Sequence, residues 1–293
     1  MAARTNATAP ATTTRAGILR PAELARHVQL DRTEPGPATA RWVDYHWTLA
    51  WDLPEGTVLP SAVVPHPTCN VTVERGTARR PEAAGAAVLV TGVTTRRFDV
   101  AVAGRGWVHG AKLRPGALVA LTGADARALV DATVPGADLL PAGVHDALAE
   151  LDGLAHPVEP AAAAAATDAA LSVLAAGTPG ADEAAYALLI EVVAEMLADR
   201  SLVRVDDVAA RHGVSRRSLE RLFARYVGVG PKWVLARHRM HDVVTALDAG
   251  WTGSLADLAV AHGFYDQAHF GREFTALVGV TPGAYRAGRV PPD

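Results

Sequence analysis

The sequence predicts an α+β protein in two parts, a β-rich domain followed by an all-α domain. Three observations predict it. Residues 41–140 are rich in Val, Thr, Gly and Pro and alternate in polarity over short runs such as "NVTVERG" and "RRFDVAV", a period of two that suits strands broken by turns. From Asp182 almost to the end the apolar residues recur at helical spacing. Within that helical part, one pattern occurs twice, about fifty residues apart: "HGVSRRSLERLFARYVGVGPKWV" from His212 and "HGFYDQAHFGREFTALVGVTPGAYR" from His262.

The chain has 293 residues, enough for two cores of ordinary size. Residues 1–16 are rich in Ala and Thr and lack the continuous apolar core of a secretion signal, so they read as a disordered tail. Residues 17–150 form the β-rich domain. Residues 151–181 read as an Ala/Pro-rich helical linker, because "VEPAAAAAATDAALSVLAAGTPG" combines a strong helix former with the breakers Pro157, Pro160 and Pro179. A hinge is expected near Gly177–Gly180. Residues 182–290 form the all-α domain.

Charge divides the same way. Residues 1–200 carry 16 basic and 22 acidic side chains, net −6, and residues 201–293 carry 12 and 9, net +3, within a total of −3. The basic end holds the repeat, and the acidic end is expected to leave no footprint on nucleic acid. No apolar run reaches the roughly 18 residues of a membrane span. The single cysteine, Cys69, excludes an internal disulfide and a cysteine-based zinc site, which fits a cytoplasmic location.

The repeat reads as two helix-turn-helix units. In the first, Val205, Val208 and Ala209 share a helical face, and Gly213 supplies the left-handed turn. Ser215 caps the next helix. Leu219, Leu222, Phe223, Tyr226 and Val227 form its buried stripe, opposite Arg217, Glu220, Arg221 and Ala224. In the second unit Ser254 and Asp257 make a capping pair. Phe270, Phe274, Leu277 and Val278 turn inward, leaving Ala268, His269, Arg272 and Thr275 outside. Asp207, Ala209, His212 and Gly213 recur as Asp257, Ala259, His262 and Gly263; beyond the turn Arg221, Phe223, Gly228, Val229 and Pro231 recur as Arg272, Phe274, Gly279, Val280 and Pro282. Between the units, Pro231 to Gly250 reads as a linker helix of roughly 28 Å, close to the roughly 34 Å of one DNA turn. Two heads on such a rod would enter successive major grooves on one face of a duplex.

On these residues, "LADLAVAHGF", "AHFGREF" and "VGVTPGAYR" above all, the C-terminal hundred residues resemble the DNA-binding module of the AraC/XylS family of bacterial transcription regulators. The resemblance implies recognition helices at about Arg216–Val227 and Asp266–Val278. It implies base or backbone contacts from Arg217, Glu220 and Arg221 in the first unit and from Ala268, His269 and Arg272 in the second. Arg216, Ser218, Arg225 and Gln267 complete the candidate set on those helices. Lys232, Arg237 and Arg286 fit phosphate contacts. Tyr265 stands where family members often have a small polar residue, so Asp266 is expected to cap the second recognition helix. Gly271 sits inside that helix, either admitting DNA closely or weakening it. The segment from "ARWVDYHWTLAWDLP" to "HGAKLRPGAL" resembles an uncharacterised domain often found ahead of this module, which implies a regulatory or sensing role.

Each candidate has a plainer reading. Arg221 and Arg272 serve either DNA or a carboxylate that braces the fold. Trp47, His66 and Trp107 mark a ligand pocket or, with Trp42 and Trp51, the core. His46, His66, Cys69 and His109 match no metal-ligand spacing, and His212 and His262 read as structural. No catalytic residue and no cofactor is expected. The competing class is an enzyme or metal-binding protein with its chemistry in the first domain, for which Cys69 would need an activating base. The partners implied are double-stranded DNA and, beyond it, a small-molecule effector, RNA polymerase or a second copy in a homodimer; no membrane partner is implied.

Overall fold

The computed structural model describes residues 11–13, 16–76, 85–177 and 183–288. A short helix α1 (Pro21–Leu24) leads into β1 (Val28–Thr33), β2 (Val43–Asp52), β3 (Val58–Val63), β4 (Asn70–Gly76), β5 (Val88–Thr91), β6 (Phe98–Ala103) and β7 (Arg105–Leu113). Helix α2 (Ala117–Thr122) precedes β8 (Thr133–Pro135), and α3 (Ala142–Ala149) and α4 (Pro160–Ala176) follow it. The rest is helical: α5 (Glu183–Ala198), α6 (Val205–Arg211), α7 (Arg216–Tyr226), α8 (Pro231–Asp248), α9 (Leu255–Ala261), α10 (Gln267–Val278) and α11 (Pro282–Arg286).

Six strands pair antiparallel in the order β1-β2-β7-β4-β5-β8, and β3 pairs with β6 in a separate two-stranded sheet. Strand β7 is central and buried on both faces from Gly106 onward. Trp107, Ala111 and Leu113 point into the main core, while Val108 joins Val102 of β6 and Trp51 in a second one. That alternation follows from the period of two along a strand.

Two expectations change here. The tail is not free at its end: Thr12 and Thr13 are buried, and the Thr13 hydroxyl donates to Asp44 at 2.5 Å. Residues 1–10 lie outside the described residues. The stretch read as a helical linker is packed onto the sheet, against β1, β2 and β7. Ala163, Ala164, Thr167, Ala170, Leu171 and Leu174 are its buried face. Asp168 fixes it there by accepting from the Gly36 N–H (2.6 Å) and the Thr39 hydroxyl, with His46 at 2.9 Å. Of the expected hinge, Gly177 caps α4 and residues 178–180 lie outside the described residues.

The β-rich part and the first helix-turn-helix unit share one core. It runs from Val71, Trp107 and Leu118 through Tyr186 and Leu189 to Leu219, Phe223 and Tyr226. Trp42 stacks on Tyr186 at 4.9 Å between ring centroids. The second unit has its own core of Phe264, Phe270, Phe274, Leu277 and Val278 under Met240 and Val244 of α8, and Val64 from the β-rich part enters it.

Candidate nucleic-acid interface

Helix α7 starts where Ser215 accepts the Ser218 N–H at 3.1 Å. It buries Leu219, Phe223 and Tyr226. Those positions lie three or four residues apart, so Arg217, Glu220, Arg221 and Arg225 are left exposed on the other side. Helix α10 repeats the design. Asp266 is its N-cap, accepting the His269 N–H at 2.6 Å, and Phe270, Phe274, Leu277 and Val278 are buried. Gln267, Ala268 and Arg272 are exposed. Both tight turns are made by left-handed glycines, Gly213 at φ 63° and Gly263 at φ 70°.

The candidate contacts differ in how free they are. Among the described residues no carboxylate pairs with Arg217, Arg221, Lys232 or Arg272. Arg216 pairs with Glu220 at 2.9 Å and reaches Asp206 at 3.4 Å. The Glu220 hydrogen bond, ahead of the Asp206 charge, holds the guanidinium above its ordinary range. Ser218 donates its N–H to the Ser215 cap and its hydroxyl lies 2.9 Å from that of Ser215. Arg225 lies over the Tyr226 ring. His269 pairs with Glu273 at 3.3 Å, and Arg286 donates to the Gly253 carbonyl at 3.0 Å. Arg237 turns inward: it lies over Trp233 at 4.7 Å, and burial pushes its guanidinium down to about 10.

Helices α7 and α10 are each gripped at the C-terminal end by the β-rich part, a feature absent from any sequence signal except the recurring Gly-Val. After α7, Gly228 has φ 81°, and a Cβ there would meet the Ala126 carbonyl at 2.6 Å. After α10, Gly279 has φ 87° and lies against the Arg97 guanidinium. Arg97 donates to the Val278 carbonyl at 2.5 Å, a cation at a helix C-terminus. Arg20 also reaches across, donating to the Gly288 carbonyl at 3.1 Å.

A cavity of about 210 Å³ opens in the β-rich part. Trp47 and His66 line it; Trp107 does not, being fully buried in the main core. Its wall is largely apolar (Leu30, Leu49, Phe98, Val100), with Arg32, Tyr45 and Lys112 on one side. Lys112 is 4% exposed, and burial pushes its ammonium down to about 7. His46 and His109 stack at 5.6 Å with separate partners, Asp168 and Thr48. Among the described residues no three His, Cys, Asp or Glu side chains are placed to hold a metal ion, and no helix is long and apolar enough to cross a membrane.

Two helix-turn-helix units on a connecting helix, the first with an arginine-rich outer face on α7 and the second exposing Arg272 on α10, define a DNA-binding module behind a β-rich domain. The comparisons agree. Residues 208–288 match the profile of a helix-turn-helix domain family, and residues 31–135 match a domain of unknown function, DUF6597. The chain is 31% identical to a transcriptional regulator with an AraC-type DNA-binding domain from Chromobacterium violaceum, over 38% of this chain and 99% of that one, with a TM-score of 0.33. The C-terminal domain of AraT, a response regulator from Geobacillus stearothermophilus, is 21% identical over 36% and 88%, with a TM-score of 0.33. ToxT from Vibrio cholerae is 12% identical over 89% and 98%, with a TM-score of 0.35. The chain belongs to the AraC/XylS family and is a DNA-binding transcription regulator.

Proposed function

We propose that α7 and α10 read successive major-groove segments on one face of a duplex, and that the cavity in the β-rich domain takes a small-molecule effector that modulates this reading. The observation behind the first half is that two exposed, similarly capped helices flank α8, whose 18 residues span roughly 27 Å. Arg217 and Arg221 of α7 and Arg272 of α10 are the base-reading candidates, since arginine offers two donors to guanine O6 and N7. Lys232, at the start of α8, and Arg286 suit phosphate. Gln267, Ala268 and His269 stand at the opening of α10. Arg237 has a bracing role under Trp233.

Support for the second half is positional. Val63, Val64, Pro65 and His66 line the cavity, and the same segment meets α8 and the second unit. The Pro65 carbonyl accepts from His241 of α8 at 2.8 Å, and the His66 and His241 rings stack at 3.9 Å. Occupancy of the cavity would therefore be felt by the helix that spaces the two heads. A non-catalytic role fits Cys69, which is buried and whose thiol burial pushes up to about 12, far from a reactive thiolate. We place the protein in the cytoplasm, with RNA polymerase and a second copy of the chain as the further partners of a promoter-bound regulator.

The test is selection of bound sequences from random duplexes by the full chain, with and without cell extract. Two preferred elements about one helical turn apart are expected. A single short element would reject the two-groove reading, and an unchanged profile with extract would count against an effector.

A further inference from the structure

We infer that the β-rich domain itself contributes a phosphate contact to the DNA interface, through Arg127 and the cleft it forms with the first recognition helix. The inference rests on α7 entering a major groove. The turn after α2 packs against the C-terminal end of α7: the Ala126 carbonyl and Val130 leave no room for a side chain at Gly228, and Gly116 leaves none facing Tyr226. The turn is therefore held in a fixed position relative to α7. Between them lies an open cleft of about 690 Å³, lined by Gly123, Asp125 and Arg127 on one side and by Arg221, Ala224 and Arg225 on the other.

Three guanidiniums and one carboxylate face this cleft. The Asp125 carboxylate accepts the Arg127 N–H at 2.9 Å, so one of its oxygens is committed to its own turn. Among the described residues neither Arg127 nor Arg221 has an ion-pair partner. An exposed cluster of like charges is unfavourable unless an anion comes to it. Arginine's planar fork suits phosphate oxygens. Arg221 belongs both to the cleft and to the outer face of α7, so the cleft continues the groove-facing surface without a break. A polyanion that α7 enters would carry one of its backbones past Arg127. The occupant is thus the sugar-phosphate backbone flanking the major groove, and the net acidic domain holds a local basic edge.

The experiment measures affinity of the full chain for two duplexes of equal length, one recovered from random selection and one of random sequence, as a function of salt. Arg127→Ala should weaken both by about threefold to tenfold and lower the salt slope by about one unit, because a phosphate contact releases a counterion without reading a base. Arg127→Lys should keep most of the affinity. Arg26→Ala, which removes the same charge elsewhere in the β-rich domain, should change neither. Unchanged affinity and slope in Arg127→Ala would overturn the proposal while leaving the groove reading intact if Arg217→Ala still impairs binding. Loss confined to the selected duplex would make Arg127 a base reader and overturn it too. Loss of inorganic phosphate binding without loss of DNA affinity would assign the cleft to a free anion instead. Absence of DNA binding by the unaltered chain would sink both readings together.

Discussion

Arg217 and Arg272 are the least encumbered cations on their helices: exposed, without an ion-pair partner among the described residues, and opposite the buried stripes. Arg217→Ala should weaken binding of a selected duplex by about tenfold to a hundredfold and relax preference at one element only. Arg272→Ala should do the same at the other element, about one turn away. Competition against single-base variants of the selected site checks this; a shared set of affected base pairs would reject the two-groove geometry. Both variants should keep their melting temperatures, whereas a fold-bracing arginine would lower them. The outward faces were legible in the sequence because the helical period sorts Leu219 and Phe223 from Arg217 and Arg221. The inward turn of Arg237 was not. Helix α8 buries residues nearly all round, from Val234 and Leu235 to His238 and His241, so its pattern names no outer face. Tyr265 is 92% exposed beside the α10 cap, and the sequence marked it only as a departure from its relatives.

At the scale of the element, α10 combines a good cap with a poor interior residue. Asp266→Ala should cost about 1 kcal/mol by leaving the His269 N–H without its partner. Gly271 is different: nothing lies within 4 Å of a Cβ built there, and its φ is ordinary. Gly271→Ala should therefore stabilise the chain by about 0.5–1 kcal/mol. Urea titration of both variants checks the signs. If Gly271→Ala is stabilised yet loses affinity for a selected duplex, the glycine serves close approach of the backbone to DNA. Helices with caps and contrasting faces, α7 and α10, could be read from the sequence. Helix α4 could not be read as part of a core. Its buried face is Ala163, Ala164, Thr167, Ala170, Leu171 and Leu174, but from Ala161 to Ala166 alanine stands on every side, so over its first half hydropathy gives no hint that the sheet covers it. Asp168, which anchors it, looks like any solvated carboxylate until Gly36, Thr39 and His46 surround it.

At the scale of the whole molecule, the β-rich domain and the second unit meet through histidines buried at the joint. Burial pushes His241 down to about 3 and His238 to about 4, and it holds His66 well below its ordinary value. The groups facing His241 are His66, Lys112, His238 and Arg237, all basic. In the folded chain these rings stay neutral, with His241 donating to the Pro65 carbonyl and His66 to the Ala16 carbonyl at 2.8 Å. In the unfolded chain each takes up a proton below about 6.5. The unfolded state thus binds more protons as pH falls, so stability present above about pH 6.5 is lost on acidification, by about 1–2 kcal/mol per histidine at pH 5. Urea midpoints of the full chain should fall steadily from pH 7 to pH 5. His241→Gln keeps a donor for Pro65 without a titrating ring, and its midpoint should fall less steeply. If the two chains lose stability in parallel over that window, His241 is not among the groups whose protonation opposes folding, and the acid sensitivity must be sought in His66, in His238 and in His109, which burial pushes down to about 3 inside the β-rich core.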